Sequence, residues 1–247
     1  MSHDHLPLDK STLDFEQVKN LLALNQPVSI TADATKSITQ CRNYLDKKLN
    51  SGEGLFYGIN TGFGYLQNVK IDNTQLHQLQ SNLLQSHACG LGEEVPKDIV
   101  KLMLMLKIKS LIYGHSGVQI DTVKRLMEMY NNDVQPVIYT QGSLGASGDL
   151  APLSHLSLPL IGLGEVYYKD VKHKAEFLMN EMGWQPIQLK SKEGLALING
   201  TQFMSSYAVW CIIKIKKLIQ WADAIAAISF EGYACTLEPF TSHIHQV

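Results

Sequence analysis

Cysteine is scarce in this chain. Its four, Cys41, Cys89, Cys211 and Cys235, lie far apart, and no two have Cys-x-x-Cys spacing. That excludes the usual signatures of a zinc site, a redox pair or a disulfide framework. Long apolar runs are scarce too. The strongest, residues 102–106 with Leu111 and Ile112 beyond, is interrupted by Lys107 and Lys109 and preceded by Lys101. It is too short and too charged to span a bilayer, and reads as a buried helix. Charge of one sign is also lacking: 21 Lys and Arg against 23 Asp and Glu leave a net charge of −2. Nothing electrostatic favours nucleic acid or an anionic membrane as a partner. No secretory signal opens the sequence, so a reducing, cytoplasmic setting is expected. His3, Asp4 and His5 could suggest a metal-binding tail but read as a disordered leader. His243-x-His245 offers two imidazoles without further ligands, so no metal site is expected.

What is present suits a globular chain. At 247 residues and 45% hydrophobic content, one or two domains with a sizeable core are expected. Amphipathic spacing predicts helices over residues 14–24, 32–49 (capped by Thr31), 73–88 (capped by Asp72 or Asn73), 96–113 (opened by Pro96), 121–130, 153–163 and 174–182 (closed by Gly183). Residues 27–30, 55–60, 136–140, 162–168 and 185–187 read as extended, and 192–200 as an apolar turn. From Thr201 a long, largely apolar helix runs to about Glu231, with Trp210, Ile213, Ile219, Ala224 and Ile228 on mixed faces. A helix of that kind belongs inside a bundle or a subunit interface.

One stretch carries chemistry of its own: Gly142-Ser143-Leu144-Gly145-Ala146-Ser147-Gly148-Asp149-Leu150-Ala151-Pro152-Leu153-Ser154-His155. In a tight loop the Gly148 nitrogen can attack the Ala146 carbonyl carbon and close a five-membered ring. Gly148 has no Cβ to obstruct the approach, and Gly142 and Gly145 open backbone conformations closed to other residues. Loss of one water from the ring and another from the Ser147 hydroxyl leaves an exocyclic methylidene, a carbon electrophile. Ser147 is not in a nucleophile elbow, since Gly145-Ala146-Ser147-Gly148-Asp149 is not Gly-x-Ser-x-Gly, and Ser143 has Gln141 at the first position. The chain has no P-loop.

Three more segments stand out: Tyr57-Gly58-Ile59-Asn60-Thr61-Gly62-Phe63-Gly64, Leu84-Gln85-Ser86-His87-Ala88-Cys89-Gly90, and Lys192–Gln202 with Asn199 between Ile198 and Gly200. Alone, each has an ordinary reading: a surface loop, a histidine on an apolar helix face, and a turn. With the 142–155 stretch they resemble the aromatic amino acid ammonia-lyases that carry the self-made cofactor methylidene-imidazolone (MIO). The resemblance spans essentially the whole chain, whose last residues, 238–247, resemble the middle of such an enzyme.

The resemblance implies a mainly α fold of the aspartase/fumarase-like helical bundle superfamily, with a small mixed α/β N-terminal lobe carrying the MIO loop. It implies a domain over residues 1–199 and the start of a long-helix bundle over 200–247. Ala146, Ser147 and Gly148 become the electrophile, supported by Asp149; Tyr57 is the base that takes the substrate's β-proton, although a phenol's pKa would have to fall for that duty. Asn199 stabilises negative charge on the ring oxygen. Ser86 and His87 follow the histidine-selective branch and point to L-histidine as substrate, with urocanate and ammonia as products. Relatives often carry arginine in place of Lys107 and an aromatic residue in place of His115, while His155 is read as structural. A homotetramer whose active sites join several subunits is expected, and the 247-residue chain alone is expected to be inert. The competing readings are another MIO enzyme, such as a phenylalanine or tyrosine lyase or aminomutase, and a non-catalytic helical scaffold.

Overall fold

The computed structural model describes residues 5–52 and 54–246, with nothing stated for the Asn73 side chain. Of the leader, His3 and Asp4 lie outside the described residues. Among the described residues the chain is mainly helical, as expected, with three small sheets.

It opens with β1 (Leu6–Leu8), which pairs in parallel with β2 (Val28–Ile30) across the intervening α1 (Phe15–Ala23). Asp14 caps α1 through a reciprocal capping box with Gln17. Thr31 caps α2 (Ala32–Asn50) by accepting from the Ala34 amide. Within residues 55–60, expected to be extended, residues 57–60 form a turn instead. Asn60 causes this: its side-chain oxygen accepts from Phe56 N and its amide donates to Gly54 O, while Thr61 Oγ1 accepts from Gly58 N. Such side-chain bonds compete with strand pairing for the same backbone groups.

Asp72 Oδ1 takes the Thr74 amide in a short 3₁₀ turn, Asn73–Gln75, and the α-helix proper, α3 (Leu76–His87), starts after it. Next come β3 (Leu91–Glu94) and α4 (Lys97–Ile112). Pro96 is the residue before the first helical position of α4, not that position itself. Helix α4 is buried nearly all round, from Ile99 to Ile112, and is the centre of the core. It packs against α5 (Ile120–Asn131), which shows one buried face.

The segment expected as one strand, 136–140, is two. Strand β4 (Gln135–Pro136) joins one sheet and β5 (Tyr139–Gln141) another, antiparallel to β3. Between them Val137 N donates to Glu165 O and Ile138 O accepts from Val95 N, so the backbone hands over from one sheet to the other. The helix expected over 153–163 is α6 (Leu150–Ser157), beginning earlier, followed by a 3₁₀ turn at Leu158–Ile161. Strands β6 (Glu165–Tyr168) and β7 (Val171–Lys174) form a hairpin that completes the sheet of β4. Helix α7 (Ala175–Met182) ends on left-handed Gly183, φ 65°.

The expected turn at 192–200 contains a helix, α8 (Glu193–Ile198). Its first carboxylate holds it. Glu193 is fully buried, and its oxygens accept from Gln119 N and Nε2, Thr122 Oγ1 and Lys190 N. Burial pushes its pKa up, and these donors oppose that shift. The long helix α9 (Gln202–Gly232) is present as expected. By compactness the chain divides into Met1–Tyr207 and Ala208–Val247. Within the second unit α9 is not buried: Ile212, Ile215, Leu218, Trp221, Ile225 and Ile228 are all exposed. Among the described residues no helix is long and apolar enough to cross a membrane.

Candidate active site

The loop between β5 and α6 holds Ala146, Ser147 and Gly148 at the mouth of α6. Gly148 has φ 113°, and a Cβ there would fall 2.7 Å from Gly200 O and 2.9 Å from Gly200 N. Only glycine fits this close approach. The next residue, Asp149, is fully buried and ties the loop down. Its backbone N–H donates to Gly200 O at 2.7 Å; its carboxylate accepts from Ser143 Oγ at 2.8 Å and from Met204 N at 3.0 Å. One carboxylate thus joins the start of the loop, its end and the first turn of α9, where backbone donors lack helical partners.

Asn199, the C-cap residue of α8, donates from Nδ2 to the Ser147 carbonyl oxygen at 2.8 Å. That oxygen is the one that stays exocyclic if Gly148 N closes on the Ala146 carbonyl carbon. The amide therefore already points at the atom where charge would gather. Behind Asn199, Lys107 reaches from α4 and donates to Ala196 O at 2.7 Å. Burial without a carboxylate partner pushes its pKa down to about 7.

A cleft of about 160 Å³ is lined by His87, Cys89, Gly142, Leu144, Ala146, Ser147, Gly148, Leu150 and Ala151. The structure thus brings His87 and the triad together. His87 Nδ1 lies 3.0 Å from Leu83 O. A carbonyl can only accept, so Nδ1 donates, and in the neutral ring of that tautomer Nε2 is the acceptor. Ser86 does not line the cleft; its hydroxyl donates to Leu83 O at 3.1 Å and sits 3.0 Å from His87 Nδ1. Tyr57 does not line it either. The residue is 55% exposed, its ring stands edge-on to Phe63, and its hydroxyl accepts from Gly64 N at 3.4 Å. The Tyr57 loop is nevertheless anchored to α8, because Gly58 (φ 66°) presses so closely on Leu195 that a Cβ would lie 2.6 Å from it.

Among the contributors not singled out from the sequence are Ser143, Gly200, Cys89, Leu144 and Met204. Ser143 and Gly200 flank residues that were, and the buried Asp149 explains both. Cys89 and Leu144 carry no signal beyond adjacency to His87 and the triad. His155, read as structural, accepts from Gly90 N at 3.0 Å through Nε2, and burial pushes its pKa down. Among the described residues no three His, Cys, Asp or Glu side chains group as a metal site would require.

Residues 13–247 match the family described as aromatic amino acid lyase, and the chain belongs to that family. Within it, the chain is similar to histidine ammonia-lyases. It is 41% identical to the enzyme of that name from Bacillus cytotoxicus over 95% of its length, and 43% identical to that of Deinococcus radiodurans over 92%. It spans 46% and 43% of those relatives, so about half of their length. Among solved structures, the histidine ammonia-lyase of Trypanosoma cruzi matches with a TM-score of 0.90 at 34% identity, over 98% of this chain and 47% of that one. The Pantoea agglomerans phenylalanine aminomutase matches with a TM-score of 0.91 at 28% identity, over 98% and 46%.

Proposed function

We propose that the chain supplies the electrophile-bearing part of a histidine ammonia-lyase, which deaminates L-histidine without oxidation to urocanate and ammonia. The observation that carries the reading is the cleft in which His87 faces Ala146, Ser147 and Gly148 while Asn199 holds the Ser147 carbonyl. The residues fit the MIO group: Gly148 has room for nothing larger, and Asn199 and Asp149 pin both sides of the bond-forming segment. Once matured, the triad supplies a carbon electrophile that turns the substrate's amino group into a better leaving group.

The chain's own residues do the rest. His87 Nε2 accepts a hydrogen bond from the substrate imidazole and fixes its orientation. Ser86 helps fix the Leu83–His87 turn. Asn199 Nδ2 stabilises negative charge on the Ser147 oxygen. Tyr57 Oη takes the β-proton, which requires its exposed loop to fold over the cleft when substrate is bound. Lid loops commonly close in this way only on the substrate complex.

The exposed apolar face of α9 supports burial by further chain, in a homotetramer of the whole protein. The four free cysteines fit a reducing cytoplasm, and the near-neutral charge fits a small-molecule substrate with neither nucleic acid nor membrane as partner. The 247-residue chain alone is expected not to turn over histidine. An assay of the whole protein against histidine, phenylalanine and tyrosine tests the reading. Urocanate absorbance should rise with histidine, while cinnamate or coumarate accumulating faster than urocanate would instead favour the phenylalanine or tyrosine members of the family.

A further inference from the structure

The cleft has two walls from different parts of the chain. One is the triad loop and the start of α6. The other is His87, the last residue of α3, and Cys89 just beyond it. We propose that His155 is a positioning residue that sets the distance between them; this rests on reading the cleft as the active site.

Asp149, directly after the triad, is the N-cap residue of α6, so the position of that helix is fixed relative to Ser147. His155 lies on the same short helix. Its Nε2 accepts the Gly90 N–H at 3.0 Å, and its ring stands edge-on to Tyr139 of β5, centroids 5.2 Å apart. Gly90 follows the Ala88-Cys89 exit from α3, where Ala88 N still donates to Leu84 O and Cys89 N to His87 O. The next amide, Gly90 N, donates instead to the imidazole of a different helix.

Packing around Gly90 leaves little freedom. A Cβ at Gly90 would lie 3.1 Å from His155 Nε2, 3.2 Å from its Cδ2 and 3.3 Å from Tyr139 Cβ. From the other side, a Cβ on Gly142 would lie 3.2 Å from Gly90 Cα. Gly90 is thus wedged between the His155 ring and the first residue of the triad loop. The clamp works only with an unprotonated Nε2, since an imidazolium offers two donors and no acceptor. Through this bond one rigid helix carries the triad at its head and holds the His87–Cys89 wall at its side. His155 touches neither substrate nor triad; it acts through Gly90.

The test compares the whole protein with His155→Phe, which keeps a ring but removes the acceptor, and with His155→Gln, which restores an acceptor. Hydrogen exchange of the peptide containing Gly90, steady-state kinetics with histidine, and intact mass are read for each. In His155→Phe, losing a hydrogen bond of ordinary strength should lower Gly90 protection and raise KM about three- to tenfold. Loss of two waters from the triad should persist, and His155→Gln should recover most of both effects. If the Phe variant does not fold, His155→Gln against His155→Met decides in the same way. Unchanged Gly90 protection and KM on losing the acceptor overturns the proposal, as does failure of a folded Gln variant to recover them. Ser147→Ala separates this from the underlying reading. If Ser147→Ala still releases ammonia from histidine, the active-site assignment fails whatever His155 does. If it does not, the His155 comparison stands alone.

Discussion

Asn199 and Gly148 show how little of this site depends on long side chains. Asn199 offers one amide to one carbonyl oxygen, and Gly148 contributes the absence of a Cβ against Gly200. Asn199→Ala should leave KM for histidine nearly unchanged and lower kcat by about 10²–10³, the usual cost of removing one oriented donor at a charge-gathering oxygen. Gly148→Ala should abolish turnover and lower the melting temperature, because the left-handed φ of 113° and the 2.7 Å approach both oppose a side chain. A fully active Gly148→Ala enzyme would contradict the loop geometry. The triad and Asp149 were legible in the sequence because a local, covalent motif constrains neighbouring residue types, whereas Asn199, in a segment that alone reads as a turn, was legible only through the family resemblance. The placement of Tyr57 was not, because the turns around it are made by Asn60 and Thr61 side chains bonding to nearby backbone, which hydrophobic spacing does not reveal.

At the scale of elements, α8 decides the site and was not legible. It is six residues long, contains Gly194, and starts from Lys192 at φ 73° without a side-chain cap. Tertiary contacts make it a helix: the Glu193 carboxylate against α5, Gln80 Oε1 on the Gly194 amide, and Lys107 on Ala196 O. The long helices α2, α4, α5 and α9, by contrast, were read nearly to their ends, because a sustained apolar pattern runs along each of them in the sequence. Glu193→Gln sets an NH₂ group against donors that converge on both carboxylate oxygens, and should destabilise by about 2–4 kcal/mol in denaturant unfolding. Lys107 gives a pH signature. Its folded pKa of about 7 lies below the unfolded value of 10.5, so between them the unfolded chain binds the extra proton. Its contribution to stability is therefore fully present above pH 10.5 and is lost as pH falls toward 7. Unfolding free energy, measured as the difference between the native protein and Lys107→Met, should rise with pH across that window. A flat difference would mean that Lys107 is better solvated or paired than its buried position implies.

Over the whole molecule, the compact part from Met1 to Tyr207 carries the proposed site, and α9 runs on from it with an exposed apolar surface. The sequence signalled that α9 would be apolar, but which chain covers it lies beyond what one sequence encodes locally. If further copies cover it, replacing Leu218 and Ile225 together with glutamate should shift the whole protein to a smaller species in sedimentation. An unchanged sedimentation coefficient would place those side chains outside any interface. The proposed chemistry of the cleft requires the triad to close into a ring, so the most direct measurement is the intact mass of the whole protein beside its Ser147→Ala variant. The account predicts that the native protein is lighter than its sequence by two waters and that the variant does not show that loss. A correctly assembled, active protein with no mass deficit would contradict it.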